Sequence, residues 1–294
     1  MTSVAAPSPS RSLRSISPGS WLPYLFGVAA FAVLFAEPFA LLLRDWWNDP
    51  EAGHGLLLGP VAVWLAWKSR RGVALKPAHG WGVAILVGAV VLRYLSSLAA
   101  ELFTMRMSMV FALAGLVVYF AGWARLRAWW LPFTLLVLSI PLPAVLVGTI
   151  ALPLQFQASR IGAALLEMRG IPVRLDGNLI LLPGHRLFVT EACSGLRSLT
   201  ALLSLGVLAG GLWLRYPISR LGLVMSAIPV AVLLNGVRVF LTGFLVFFVD
   251  PKLGEGFMHM TEGWAMFVIA FAILGGFAWA IAWLENRYAA RRAS

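Results

Sequence analysis

Long apolar runs alternate along the chain with short connectors that are polar and mostly basic. A membrane helix needs about 20 mainly apolar residues, and on that basis roughly eight stretches qualify as spans. They are residues 21–43, 55–67, 81–100, 105–123, 128–152, 195–214, 221–249 and 263–284, the second of them short. The first continues past Glu37. That is longer than the roughly 7–15-residue core of a signal peptide, and no small-residue cleavage site follows, so it reads as a retained span. The expected fold class is an all-α polytopic membrane protein. A polar tail over 1–20 precedes a single integral domain over 21–284, and a basic tail over 285–294 follows.

Lys and Arg sort the connectors by side, because short cytoplasmic loops are enriched in them. With the N-terminus inside, the inner segments hold Arg11 and Arg14, then Lys68, Arg70, Arg71 and Lys76, then Arg125 and Arg127, then Arg215 and Arg220, and finally Arg287, Arg291 and Arg292. Acids fall mainly on the other side, at Asp45, Asp49, Glu51, Glu101, Glu167, Asp176, Glu191, Asp250, Glu255 and Glu262, with Glu285 inside and Glu37 within the first span. Both termini are expected in the cytoplasm of a bacterial cell, with the protein in the inner membrane.

The longest outer segment, 153–194, is not uniform. Leu154, Ala158, Ile161, Leu165 and Met168 recur at helical steps while Gln157, Arg160 and Glu167 lie off that stripe, which predicts a helix lying in the membrane interface. Beyond Pro172, residues 173–175, 179–182 and 185–189 read as short strands joined by turns at Asp176-Gly177-Asn178 and Pro183-Gly184. Open strand edges cannot face lipid, so this hairpin-like lip must sit in water or against protein. It leads directly to the sixth span.

Composition agrees with the pattern. The chain is 60% hydrophobic and 12% charged with a mean hydropathy of +0.86, whereas soluble domains carry roughly 25% charged residues. The net charge of +11 forms no groove-like basic stripe and no recognition motif for nucleic acid, and topology accounts for it. One cysteine, Cys193, excludes an internal disulfide framework and a thiolate cluster built from this chain alone. With four dispersed histidines it makes no zinc site, so neither metal nor cofactor is expected.

Cys193 stands in Thr190-Glu191-Ala192-Cys193-Ser194-Gly195-Leu196-Arg197, where the lip becomes the sixth span. If Thr190 caps that helix, Cys193 lies in its first turn, where free N–H groups and the helix dipole favour a thiolate. The plainer reading is a small buried residue at a helix start. Arg238, in Leu234-Asn235-Gly236-Val237-Arg238, lies about three turns inside the outer end of the seventh span. A charge at that depth is expensive and marks either a functional group or a structural pair, for instance with Glu37. Arg197, four residues beyond Cys193, shares its helix face and is a rival. Among the histidines, His79 lies on the wrong side, while His54, His185 and His259 are all on the side of Cys193.

Three blocks together carry a family resemblance: Glu191 to Ser198, Asn235-x-x-Arg238, and His259 ahead of Gly263-Trp264. In order, spacing and sidedness they resemble the signature blocks of the exosortase and archaeosortase family, and His54-Gly55 resembles that family's N-terminal block. The resemblance implies a membrane-embedded cysteine protease or transpeptidase with Cys193, Arg238 and His259 as its catalytic set. Glu191, Ser194, Gly195, Arg197, Asn235 and His54 are then supporting or substrate-binding residues. It further implies a substrate class: exported proteins whose C-terminal sorting signal joins a short motif, often Pro-Glu-Pro, to a membrane helix and a basic cluster. Such sorting is linked to exopolysaccharide and surface proteins. The amine acceptor, beyond membrane lipid as surroundings, is left open. Two other readings compete. One is a non-enzymatic membrane component of polysaccharide assembly or transport in which Arg238 and Glu37 line a path; the other is a plain protease that releases its product to water.

Overall fold

The structure, a computed structural model, describes residues 22–49, 51–70, 72–189, 196–250 and 256–293. Expectations that fall on Arg11, Arg14 and residues 190–195 lie outside them. In chain order the elements are α1 (Leu22–Asn48), α2 (Gly55–Lys68), α3 (His79–Leu98), α4 (Leu102–Ala121), α5 (Trp123–Ala128), α6 (Trp130–Leu138) and α7 (Ala144–Glu167). Strands β1 (Arg174–Asp176), β2 (Leu179–Leu182) and β3 (His185–Phe188) follow, then α8 (Leu196–Trp213), α9 (Pro217–Phe248) and α10 (Gly256–Ala293).

The protein is thus mostly helical, and among the described residues five helical segments are long and apolar enough to cross a membrane: Phe26–Asn48, His79–Leu98, Leu102–Ala121, Pro217–Phe248 and Ala265–Arg292. The expected second and sixth spans are shorter apolar helices, Gly55–Lys68 and Ser198–Trp213. The fifth is not one helix. Its expected course over 128–152 breaks after α6 at Ser139-Ile140-Pro141-Leu142-Pro143, and α7 begins directly after Pro143. Each proline removes an N–H donor and disfavours helical geometry in the residue before it, so two prolines two residues apart end the helix. Helix α10 runs on through 285–293.

Helix α9 is the hub of the C-terminal half. It packs against α7, α8 and α10, and α8 also meets α10. Leu202, Leu223, Ala227 and Leu274 are fully buried in the core that α8, α9 and α10 share. A second group centres on the α3–α4 hairpin with α1, through Phe35, Leu42, Ala89 and Ala112. Helices α2 and α6 pair through Leu58, Leu65, Leu131 and Leu135, and α6 joins them to α8.

The face that α7 turns to the protein overlaps the expected apolar stripe at Ala158 and Ile161 but not at Met168. Ala151, Gln155, Ala158, Ser159, Gly162, Ala163 and Leu166 are buried, whereas Met168 is 81% exposed. Helix α7 therefore packs on α9 rather than only resting at an interface. Small residues make the approach close. A Cβ placed on Gly162 would lie 2.5 Å from Val239 Cγ1, and one on Gly236 would lie 2.4 Å from Ile161 Cγ2.

The connectors grouped by charge meet one another. Buried Arg125 donates to the carbonyls of Ser69, Arg70 and Val73 at 3.2, 2.5 and 3.0 Å, and Lys76 N donates to Ala121 O at 3.3 Å. Glu285 accepts from the Arg215 and Tyr216 amides at 2.8 and 3.2 Å, capping the start of α9. The Arg220 guanidinium lies 5.2 Å from the Trp130 ring, joining the two sets. At the other ends of α1 and α4, Arg106 pairs with Asp45 at 2.6 Å. Glu101 caps α4 by accepting from Phe103 N and Thr104 N at 3.0 and 2.7 Å. Burial raises the Glu101 carboxyl, but these bonds, a further one from the Thr104 hydroxyl and the Arg106 charge outweigh it and hold it below its ordinary value.

Candidate active site

The three-stranded lip forms as its turn chemistry dictates. Its order is β1-β2-β3, both pairings antiparallel, with Leu175 opposite Ile180 and Ile180 opposite Leu187. Gly177 has φ +61 at the first central position of the first turn, which calls for glycine. In the second turn Pro183 precedes Gly184, whose φ is +79, the pairing that type II turns use. Alternation along β2 buries Ile180 and Leu182. They pack with Ala158 and Leu166 of α7 and Val239 of α9, flanked by Phe240, Phe244 and Phe247. One face of the sheet thus lies against protein.

Polar contacts fix the exit of the lip. Val189 N donates to Asn178 O at 2.9 Å, and Asn178 Nδ2 donates to Val189 O and to Gln155 Oε1, each at 3.1 Å. The sequence reading had singled out neither Gln155 nor Asn178 for a role, although an amide at a turn beside a strand end is a common local hydrogen bonder.

Arg238 is half-buried on α9, one turn beyond buried Asn235 and so on the same helix face. Between them lies Gly236, at the close crossing with α7. Thr242 Oγ1 donates back to Arg238 O at 3.0 Å. Glu37 is not its partner in an ion pair: that carboxylate is engaged by Arg93 of α3 at 2.6 Å. The sequence reading missed both Arg93 and the Arg106–Asp45 pair. Each joins groups tens of residues apart, and no local spacing announces them.

The other expected site residues are distributed as follows. Glu191, Cys193, Ser194 and Gly195 lie outside the described residues, as does the proposed cap at Thr190. Arg197 belongs to α8 and His259 to the first turn of α10, their side chains outside the described set. The elements that carry or adjoin Cys193, Arg238 and His259 are α8, α9 and α10, which pack together as one group. His185 opens β3 opposite Leu182, immediately after the Pro-Gly turn. His79 opens α3 with its ring 4.6 Å from that of Tyr119.

His54 stands apart from that group. Its Nε2 lies 3.1 Å from Leu138 O, and the Trp46 Nε1–H donates to Ser139 O at 2.7 Å. These are the last carbonyls of α6 before the Pro141-Leu142-Pro143 break, which the interrupted helix leaves without intrahelical donors. A carbonyl only accepts, so this contact requires the Nε2–H form of His54. The Trp46 ring lies over Gly55 and Gly59, where a Cβ would come within 2.1 and 2.9 Å of it. Among the described residues, no group of three or more His, Cys, Asp or Glu is arranged to hold a metal ion.

Helices long and apolar enough to span a bilayer, with a small sheet packed onto them, define a multi-pass membrane protein. The family profile described as transmembrane exosortase (Exosortase_EpsH) matches residues 46–276. The chain belongs to that family. Comparison with curated proteins and with solved structures gives no match.

Proposed function

We propose that this exosortase is a membrane-embedded cysteine transpeptidase that cleaves the C-terminal sorting signal of exported proteins at the outer face of the inner membrane. Its membership of the family over residues 46–276 is the observation that carries the reading. Support comes from Arg238, half-buried within α9, the helix whose neighbouring residues Val239 and Phe240 pack against the lip that precedes Cys193 in the chain. Cys193 attacks the scissile carbonyl as thiolate, forming a thioester, and the peptide C–N bond breaks. His259 gives a proton to the departing amine and later takes one from the acceptor, while Arg238 stabilises thiolate or oxyanion. A substrate anchored by its own membrane helix presents its motif at the same depth in every encounter, which replaces a three-dimensional search by a search in the plane.

The transport reading gains no such support, since the Glu37 it would use is held by Arg93. The test is co-expression with a tail-bearing exported protein. Cys193→Ala and His259→Ala should each accumulate the substrate with its membrane helix attached, at unchanged enzyme abundance. The double variant should be little worse than either alone, because groups acting in one step are non-additive. Normal processing by Cys193→Ala would sink the proposal, and an amine-linked product would separate transpeptidation from hydrolysis.

A further inference from the structure

The free face of the lip carries charge that its folding does not use. Alternation along the strands sends Leu175, Ile180 and Leu187 to the face packed on α7 and α9, and their neighbours to the other. Register then sets two rows across the three strands of that free face. One row is Arg174, Leu181 and Arg186, each directly opposite the next, and the other is Asp176, Leu179 and Phe188. Arg174 and Arg186 are exposed, as is Phe188 at 58%, while Leu179 and Leu181 are half-buried. Among the described residues the ion pairs are Arg93 with Glu37 and Arg106 with Asp45, and neither lip arginine belongs to one. Neighbouring strands lie about 4.8 Å apart, so the two arginines rise roughly 10 Å from each other with Leu181 as an apolar floor between them. Their long flexible stems can close that gap. A carboxylate offers two oxygens, one to each guanidinium.

We infer that this face is a docking surface for an extended acidic segment of a peptide, with one carboxylate held between Arg174 and Arg186 over Leu181 and apolar residues beside it on Leu179 and Phe188. The inference deepens the proposed function, on which it rests for the source of the peptide, a segment of the exported substrate. Asp176 favours a peptide over a lipid surface. A uniformly anionic membrane surface would meet that carboxylate in the row beside the arginines and be repelled, whereas a peptide places one acid at the arginines and none at Asp176. Neither arginine is catalytic; both select and hold substrate, so their effect falls on binding.

The test uses the full-length protein in nanodiscs of neutral lipid, where anionic headgroups cannot compete. Two soluble probes are titrated by fluorescence anisotropy at low salt: a short apolar peptide with one central glutamate, and its glutamine twin. Wild type should bind the glutamate probe about twentyfold more tightly, the upper scale of two exposed ion pairs. That preference should shrink as salt approaches about 1 M, where the screening length is about 3 Å. Arg174→Gln and Arg186→Gln should each weaken the glutamate probe about fivefold, and the double variant should bind both probes alike. Arg169→Gln, which removes an exposed arginine outside the sheet, should keep the wild-type preference. With a tail-bearing substrate the double variant should raise KM and leave kcat within about twofold. Equal binding of the two probes by wild type overturns the inference, as does an equal loss in Arg169→Gln, which would make the effect one of bulk charge. A double variant that loses adhesion to anionic vesicles but keeps the glutamate preference assigns the face to lipid and overturns it as well. If the double variant does not accumulate, the single variants are judged by the same fivefold criterion, and failure of all three to accumulate assigns the arginines to folding and overturns the inference too. Glutamate-selective binding by a protein that cleaves no tail-bearing substrate upholds the docking surface and sinks the proposed function, while cleavage without that selectivity does the reverse.

Discussion

Substituting Gly236 by alanine tests whether α9 is held in register against α7 by close contact. The added methyl would lie 2.4 Å from Ile161 Cγ2, 2.5 Å from Ile161 Cβ and 3.2 Å from its Cδ1. Carbon atoms rest at about 3.5–4.0 Å, so the overlap exceeds about 1 Å. Rotating Ile161 moves Cγ2 and Cδ1 away but leaves Cβ, which is fixed to the α7 backbone, so the helices themselves must part. Overpacking of this kind costs about 1–3 kcal/mol. The better helix propensity of alanine returns no more than about 1 kcal/mol. Gly222, on the same helix with nothing within 4 Å of its would-be Cβ, supplies the control. The assay is the apparent unfolding temperature in one detergent at one scan rate, because such proteins often unfold irreversibly. Gly236→Ala should lower that temperature and, since Arg238 lies two residues on, lower processing. Gly222→Ala should be neutral or slightly stabilising. Adding Ile161→Ala should restore only part of the loss, as its Cβ remains. A Gly236→Ala protein as stable as Gly222→Ala would refute the close crossing.

Three further outcomes are expected. Arg106→Leu leaves Asp45 facing an apolar contact and should cost roughly 3 kcal/mol, the low end for a broken buried pair because Asp45 is partly exposed, while Arg106→Leu with Asp45→Leu recovers most of it in the same unfolding assay. Ala100, at φ +51 in the turn after α3, is the one described non-glycine residue with positive φ, so Ala100→Gly should stabilise by about 1 kcal/mol, and a loss of stability would contradict that backbone. Glu101 titrates below its ordinary value when folded, so its cap contributes stability above the usual carboxylate range and loses it as pH falls through the folded value. Unfolding followed from neutral to acid pH should show a component that Glu101→Gln removes, and identical profiles would count against the cap.

Much of the fold was written in local pattern. Apolar runs announced the helices, and the turns at Gly177 and Pro183-Gly184 marked the lip strands to within a residue or so. Three short blocks pointed to the family that the profile over 46–276 shows. Tertiary structure decided the rest, for reasons specific to a bilayer. Prolines at 38, 60, 153 and 229 sit inside helices, so proline alone could not foretell the break at Pro141 and Pro143. What accompanies that break is a pair of donors from elsewhere, Trp46 and His54, on the carbonyls that α6 leaves open. The stripe on α7 was right at Ala158 and Ile161 but wrong at exposed Met168, and it passed over Ser159 and Gly162, because lipid is as apolar as leucine and hydrophobicity cannot tell a lipid-facing position from a protein-facing one. The partners of Glu37, Asp45 and Glu285 were likewise invisible, since charge chooses its partner through space, across intervals of 56, 61 and about 70 residues.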